Sequence, residues 1–82
     1  MNINIFGSTG IIGNKSLIIL KKFYPKIKIN LLVANNNYLK LISQTLKYKP
    51  KFISIKNEEN INLIRKKIFK LETKIIKYDH VN

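Results

Sequence analysis

The sequence predicts an α/β fold: a parallel sheet built in the order βαβαβα, with a short strand after it. Three observations carry this. The apolar pattern alternates between a period of about two and a period of about 3.6 residues along the chain. A glycine-rich segment, Gly7 to Gly13, stands where the first apolar run stops and the first amphipathic run opens. The prolines, Pro25 and Pro50, fall between a helical pattern and the strand pattern that follows it. Strands alternating with amphipathic helices imply parallel pairing through right-handed crossovers.

The elements follow in order. Ile3 to Phe6 is a short β-branched and aromatic run that stops at Gly7, which marks a strand. From Ile11 to Tyr24 the pattern is helical, with Ile12, Ser16, Ile19 and Phe23 on one face flanked by Leu17 and Leu20. Pro25 ends this helix. Ile27, Ile29 and Leu31 alternate with Lys28 and Asn30, and Leu32, Val33 and Ala34 extend the run into a second strand buried in part on both faces. Asn35, Asn36 and Asn37 form a turn and a cap region. Leu39, Ile42 and Leu46 then recur at helical spacing as far as Tyr48. Lys51 to Lys56 alternates as a third strand. Asn57 is read as the cap of a third helix, with Glu58 and Glu59 at the positive end of its dipole and Ile61, Ile64, Ile68 and Leu71 on one face. Thr73 to Tyr78 forms a short fourth strand around Ile75 and Ile76. The strand order expected is 3-2-1, with the glycine loop at the carboxyl end of the first strand.

Composition narrows the function. The 82 residues make one small domain, and a chain of this size buries only roughly 60–65% of its unfolded surface. The absence of cysteine excludes disulfides and thiolate metal sites, and the single histidine, His80, excludes a histidine-rich one. The carboxylates Glu58, Glu59, Glu72 and Asp79 are not spaced as a general acid/base pair. A formal charge of +12 raises nucleic acid or an anionic membrane as a partner. However, the lysines are spread along the chain, Arg65 is the only arginine, and the wealth of Ile, Lys, Asn and Tyr is what AT-rich codons produce. Nucleic acid is therefore disfavoured as the partner. The apolar runs Leu17–Leu20 and Leu31–Ala34 are far shorter than the ~20 residues of a membrane span. No basic segment precedes an apolar core at the N-terminus, so a cytoplasmic location is expected.

The chemistry lies in Gly7-Ser8-Thr9-Gly10-Ile11-Ile12-Gly13. A tight strand-to-helix turn favours a residue that tolerates positive φ at Gly7. A pyrophosphate approaching the backbone favours no side chain at Gly10, and close helix–strand packing favours none at Gly13. The free N–H groups at the helix N-terminus then face the anion, and Ser8 and Thr9 can add hydroxyl donors. The spacing GxxGxxG differs from the GxGxxG dinucleotide fingerprint. It also differs from a phosphate loop of the GxxxxGK[ST] kind, because Asn14 precedes Lys15-Ser16 where that motif has a glycine. With a strand before it, a helix after it and two further βα units, the segment reads as the phosphate site of a Rossmann-like domain. Dinucleotide-binding domains of this kind place Asp or Glu at the end of the second strand to hold the ribose. Here Ala34 is followed by three asparagines, and no acidic residue precedes Glu58. A carboxylate would repel a 2′-phosphate, so its absence favours NADP over NAD. Asn35, Asn36 and Asn37 serve equally well as phosphate donors and as turn formers.

Together these pieces resemble the N-terminal part of the 1-deoxy-D-xylulose 5-phosphate reductoisomerase family. That family opens with a short strand and GSTGSIG, matched by Gly7 to Gly13. Its second strand ends in Leu-Val-Ala-Gly-x-Asn, matched by Leu32-Val33-Ala34-Asn35-Asn36-Asn37, and a Lys-Pro-Lys step leads into the third strand, matched by Lys49-Pro50-Lys51. The resemblance implies NADPH as cofactor and a divalent metal, Mg2+ or Mn2+, whose ligands lie outside this chain. It also implies a role in rearranging and reducing 1-deoxy-D-xylulose 5-phosphate to 2-C-methyl-D-erythritol 4-phosphate, an early step of non-mevalonate isoprenoid biosynthesis. By the same resemblance Thr9, Gly10, Ile11 and Ile12 meet the cofactor phosphates, and Asn35 to Asn37 surround the adenosine ribose and its 2′-phosphate. Ile11 departs from a usual serine, and Asn35 and Asn36 depart from a glycine and a residue that is often Lys, Arg or Ser. Residues 1–82 are thus expected to be an NADP-binding fragment without the catalytic domain, inactive alone. Three other readings stand beside it: a fragment of another NADP-linked reductase of semialdehyde dehydrogenase type, a small basic nucleic-acid-binding protein, and a subunit whose sheet is completed by a separately encoded partner.

Overall fold

The computed structural model describes residues 2–81. The first strand, β1 (Asn2–Phe6), leads through the glycine loop into helix α1 (Ile11–Phe23). Next come β2 (Lys28–Ala34), α2 (Tyr38–Tyr48) and β3 (Phe52–Ile55). A single 3₁₀ turn, Glu58–Asn60, precedes α3 (Ile61–Ile68); β4 (Lys74–Ile75) and a second 3₁₀ turn, Tyr78–His80, follow. The order predicted from the apolar periodicity is the order found.

The four strands pair in the order β1-β2-β3-β4, and every pair is parallel. The expected 3-2-1 arrangement is present, extended by β4 beside β3. In register, Ile5 pairs with Leu32, Leu32 with Ile53, and Ile53 with Ile75, so one apolar row crosses the whole sheet. An irregularity between Ile3 and Asn4 shifts the β1–β2 register by one residue. Among the described residues, the outer edge of β1 has no strand beside it.

Each crossover steps the same way across the sheet, and right-handed crossovers then put all three helices on one face. The core lies between that face and the helices. Ile5, Ile29, Leu32, Ala34, Ile53 and Ile55 meet Leu17 of α1, Leu41 and Ile42 of α2, and Ile64 and Ile68 of α3. Leu17, Leu32, Leu41, Ile53 and Ile64 are almost wholly withdrawn from water. Burial of each such side chain contributes roughly 1.5–3 kcal/mol against leaving it exposed. Leu31 and Val33 alternate with the core row and are buried outside the core cluster, as a strand apolar on both faces requires.

Two helix faces differ from those read in the sequence. On α1 the core residue is Leu17, with Leu20 packed beside it, whereas Ile12 is 81% exposed, Ile19 53% and Phe23 66%. The helix is apolar on two sides, so its periodicity fits two stripes, and this sheet covers the one through Leu17. On α2 the buried residues are Leu41, Ile42, Gln44 and Thr45, while Leu39 and Leu46 are exposed. Polar Gln44 and Thr45 disguise the inner face. The Thr45 hydroxyl is satisfied there by donating to the Leu41 carbonyl at 2.7 Å.

Local caps explain the boundaries. Asn37 caps α2, its Oδ1 accepting from the Lys40 N–H at 3.0 Å. Asn57 caps as expected, but what it caps is the 3₁₀ turn, with Oδ1 accepting from Glu59 N–H. After α1, the Lys21 ammonium donates to the carbonyls of Pro25 and Ile27 and ties the turn into β2. The fourth strand is shorter than the run from Thr73 to Tyr78, because pairing with β3 stops at Ile75 and the chain coils into the 3₁₀ turn. No helix among the described residues is long and apolar enough to cross a membrane.

Candidate functional site

The glycine loop sits at the carboxyl end of β1. Ser8 N–H donates to the Val33 carbonyl at 3.0 Å, continuing the β1–β2 ladder past Phe6. Gly10 N–H then turns back onto the Gly7 carbonyl at 3.0 Å. Gly7 closes this turn with φ +68°, a conformation that glycine alone adopts at little cost. Gly10 is the N-cap of α1, and its carbonyl accepts the first helical hydrogen bond, from Asn14 N–H. The N–H groups of Ile11, Ile12 and Gly13 therefore precede the first donor of the helix and have no backbone acceptor among the described residues.

The glycines differ in what they do. A Cβ at Gly13 would lie 2.1 Å from the Gly7 carbonyl oxygen, so helix–strand packing excludes it. At Gly10 the backbone has φ −74°, open to any residue, and a Cβ there would meet only the Gly7 oxygen, at 3.3 Å. That contact is tight and would push the Gly7 oxygen by a few tenths of an ångström, a much smaller demand than the one at Gly13. What the missing side chain leaves is an exposed stretch of backbone beside the free N–H groups. Such a cradle accepts an anion closely.

Ser8 and Thr9 part ways. Ser8 is fully buried, with no hydrogen-bond partner for its hydroxyl among the described residues. Thr9 is half-buried, at the rim of the loop.

The asparagine turn follows the neighbouring strand at the same end of the sheet. Asn35, Asn36 and Asn37 are all exposed. Their backbone is tied to the exit of β3: Lys56 N–H donates to Ala34 and Asn57 N–H to Asn35. The glycine loop and this turn thus stand side by side on adjacent parallel strands, at the carboxyl end of the sheet, the end at which ligands of open α/β sheets bind. No carboxylate occurs in either segment. The sequence reading missed two cationic residues here, Lys40 in the first turn of α2 and Lys56 at the end of β3. Both are exposed and next in the backbone network to the asparagines. It also missed Gln44, which reaches from α2 to the Ser8 carbonyl at 2.7 Å and to Asn14 Oδ1 at 3.1 Å.

The lysines are less evenly placed than their spread along the sequence suggested. Seven of them, Lys28, Lys51 and Lys74 included, line a groove at the opposite, amino end of the strands. Tyr48, Phe52 and Glu72 share that groove. Among the described residues no group of three or more His, Asp or Glu side chains could hold a metal ion.

The family profile of 1-deoxy-D-xylulose 5-phosphate reductoisomerase matches residues 3–80. The chain belongs to this family. The reductoisomerase of Porphyromonas gingivalis is 38% identical over 74 residues, covering 90% of this chain and 19% of the relative. That of Elusimicrobium minutum is 39% identical over 64 residues, covering 78% and 16%. Among solved structures, the reductoisomerase in complex with NADPH, fosmidomycin and magnesium superposes with a TM-score of 0.84 at 25% identity, over 96% of this chain and 20% of that one. The chain spans about a fifth of the length of the reductoisomerases it matches. Membership of this family sets aside the semialdehyde dehydrogenase alternative.

Proposed function

We propose that this chain is the NADPH-binding segment of a 1-deoxy-D-xylulose 5-phosphate reductoisomerase. The observation that carries the reading is the glycine cradle: open backbone at Gly10 beside three N–H groups with no backbone acceptor among the described residues, on the strand next to an acid-free turn. In this reading Thr9 and the backbone from Gly10 to Gly13 bind the pyrophosphate, and Gly7 and Ser8 shape the loop. Asn35, Asn36 and Asn37 surround the adenosine ribose and its 2′-phosphate. Bound NADPH supplies the hydride for the reductive step. The chain's own residues bind the cofactor, orient it and favour the phosphorylated form. The described residues do not fit a divalent metal, so no catalytic step is assigned to them.

Hydride transfer needs a second surface to hold the substrate against the cofactor. In our reading the remainder of a reductoisomerase provides it, docking on the exposed stripe of Ile12, Ile19 and Phe23 and on the free edge of β1. A helix apolar on two sides is what a second layer of structure would cover. A cytoplasmic location belongs to the same proposal, because a highly charged cofactor does not cross a membrane unaided.

The test is titration of the purified chain with NADPH and with NADH, read by fluorescence and by thermal shift. Preferential binding of NADPH, abolished in a folded Gly10→Val variant, is the expected result. A folded wild-type chain that binds neither cofactor overturns the proposal.

A further inference from the structure

We propose that Gln44 is a positioning residue for the phosphate-binding loop, setting the direction of the peptide between Ser8 and Thr9. The proposal rests on the reading of that loop as the cofactor site.

Gln44 lies on α2, 36 residues from Ser8 and 30 from Asn14 in sequence. It is only 4% exposed, yet its side chain is polar. A buried amide costs stability unless it is hydrogen-bonded. Nε2 places both of its protons, one on the Ser8 carbonyl at 2.7 Å and the other on Asn14 Oδ1 at 3.1 Å, while Oε1 has no partner among the described residues. A backbone carbonyl can only accept, so the amide can face Ser8 only through Nε2. Its orientation follows from chemistry.

The consequence lies in the peptide geometry. In a planar trans peptide the C=O and the following N–H point in opposite directions. Gln44 draws the Ser8 carbonyl inward, toward α2. The Thr9 N–H must then point outward, and it has no backbone acceptor among the described residues. It joins the N–H groups of Ile11, Ile12 and Gly13 around the cradle. On its other side Ser8 is held by its own N–H, bonded to the Val33 carbonyl. The residue is gripped from β2 and from α2, and the peptide after it has one setting. Released from Gln44, that peptide could turn its carbonyl outward and set a negative dipole against the phosphates. Through Asn14, the same amide also fixes the first turn of α1, whose N–H groups complete the cradle.

The experiment compares wild type with Gln44→Met, of similar volume and uncharged, which removes the donor without placing a carboxylate beside the anion site. Where Gln44→Met does not fold, Gln44→Leu takes its place. Two ligands are titrated: NADPH, and adenosine 2′-monophosphate, which lacks the pyrophosphate. NADPH affinity is expected to fall about tenfold, the order of effect of leaving a buried polar group without its partner. Adenosine 2′-monophosphate affinity is expected to stay within about twofold, its contacts lying on the asparagine turn. Unchanged NADPH affinity, or an equal loss for both ligands, overturns the positioning role. A wild-type chain that binds neither ligand strikes at the cofactor reading instead. The positioning claim is then decided by NMR, in the Ser8 carbonyl and Thr9 amide signals. Displacement of these signals in the variant, with those of β3 in place, supports it, and their constancy overturns it.

Discussion

Gly13 rests directly on the peptide of Gly7: a Cβ at Gly13 would stand 2.1 Å from the Gly7 carbonyl oxygen and 2.9 Å from Ser8 Cα. The oxygen cannot retreat freely, because it accepts the Gly10 N–H that closes the loop. Gly13→Ala should therefore destabilise the fold by about 3 kcal/mol, at the upper end of overpacking costs. In a domain of this size that lowers Tm by more than about 10 °C. Gly10→Ala meets the same oxygen at 3.3 Å, which must give by only a few tenths of an ångström, so it should lower Tm far less than Gly13→Ala while weakening NADPH binding. Thermal melts beside cofactor titrations check both. Equal stability of the two variants would show that Gly13 is not the packing glycine.

The cations beside the asparagine turn offer a test of the cofactor reading. Lys56 follows β3 directly, and its N–H is bonded to Ala34, the residue before Asn35. Reversing its charge in Lys56→Glu should weaken NADPH roughly five- to tenfold, a modest Coulombic effect at a solvated site. NADH, which lacks the 2′-phosphate, should change little. The ratio of the two dissociation constants is the measurement. A ratio left at the wild-type value would remove Lys56 from the 2′-phosphate site.

The face of α1 can be checked by truncation. Leu17 is fully buried, so Leu17→Ala should cost about 2–5 kcal/mol. Ile19, half-exposed on the other stripe, should cost less than about 1 kcal/mol when cut to alanine. Urea unfolding gives both values. An Ile19→Ala cost matching that of Leu17→Ala would restore the face first read from the sequence.

The lysine-lined groove makes its own prediction. Any oligonucleotide binding there should be electrostatic and disappear between about 50 and 200 mM salt. It should be untouched by Gly10→Val, because the groove lies at the other end of the strands. Tight binding that survives the higher salt would favour the nucleic-acid reading over the cofactor one.

The sequence made the order of elements legible because each depends on neighbours close in the chain. Ile3–Phe6 stops at Gly7, Asn37 precedes a helical pattern, and Pro25 and Pro50 separate helix from strand. The glycine loop was legible for the same reason. The buried faces of α1 and α2 were not. Apolar residues lie on two sides of α1, and only the position of the sheet selects Leu17 over Ile19. On α2 the inner face carries Gln44 and Thr45, which hydropathy assigns to solvent. Gln44 itself could not be tied to Ser8 from spacing, because their hydrogen bond closes only after α2 has packed beside β2. Its one signal was a neutral amide three residues after Leu41, on a helix otherwise facing the sheet.

The strand order β1-β2-β3-β4 follows the chain without a skip. Each strand therefore docks on one that the ribosome has already released. Among the described residues Asn2 pairs with Lys28, Leu31 with Phe52 and Phe52 with Lys74, so each strand meets its neighbour one crossover later. The sheet can grow in one direction during synthesis, each βα unit covering the apolar row of the one before. The glycine loop belongs to the first βα unit. Its second support arrives with the next unit, when α2 brings Gln44 to the Ser8 carbonyl.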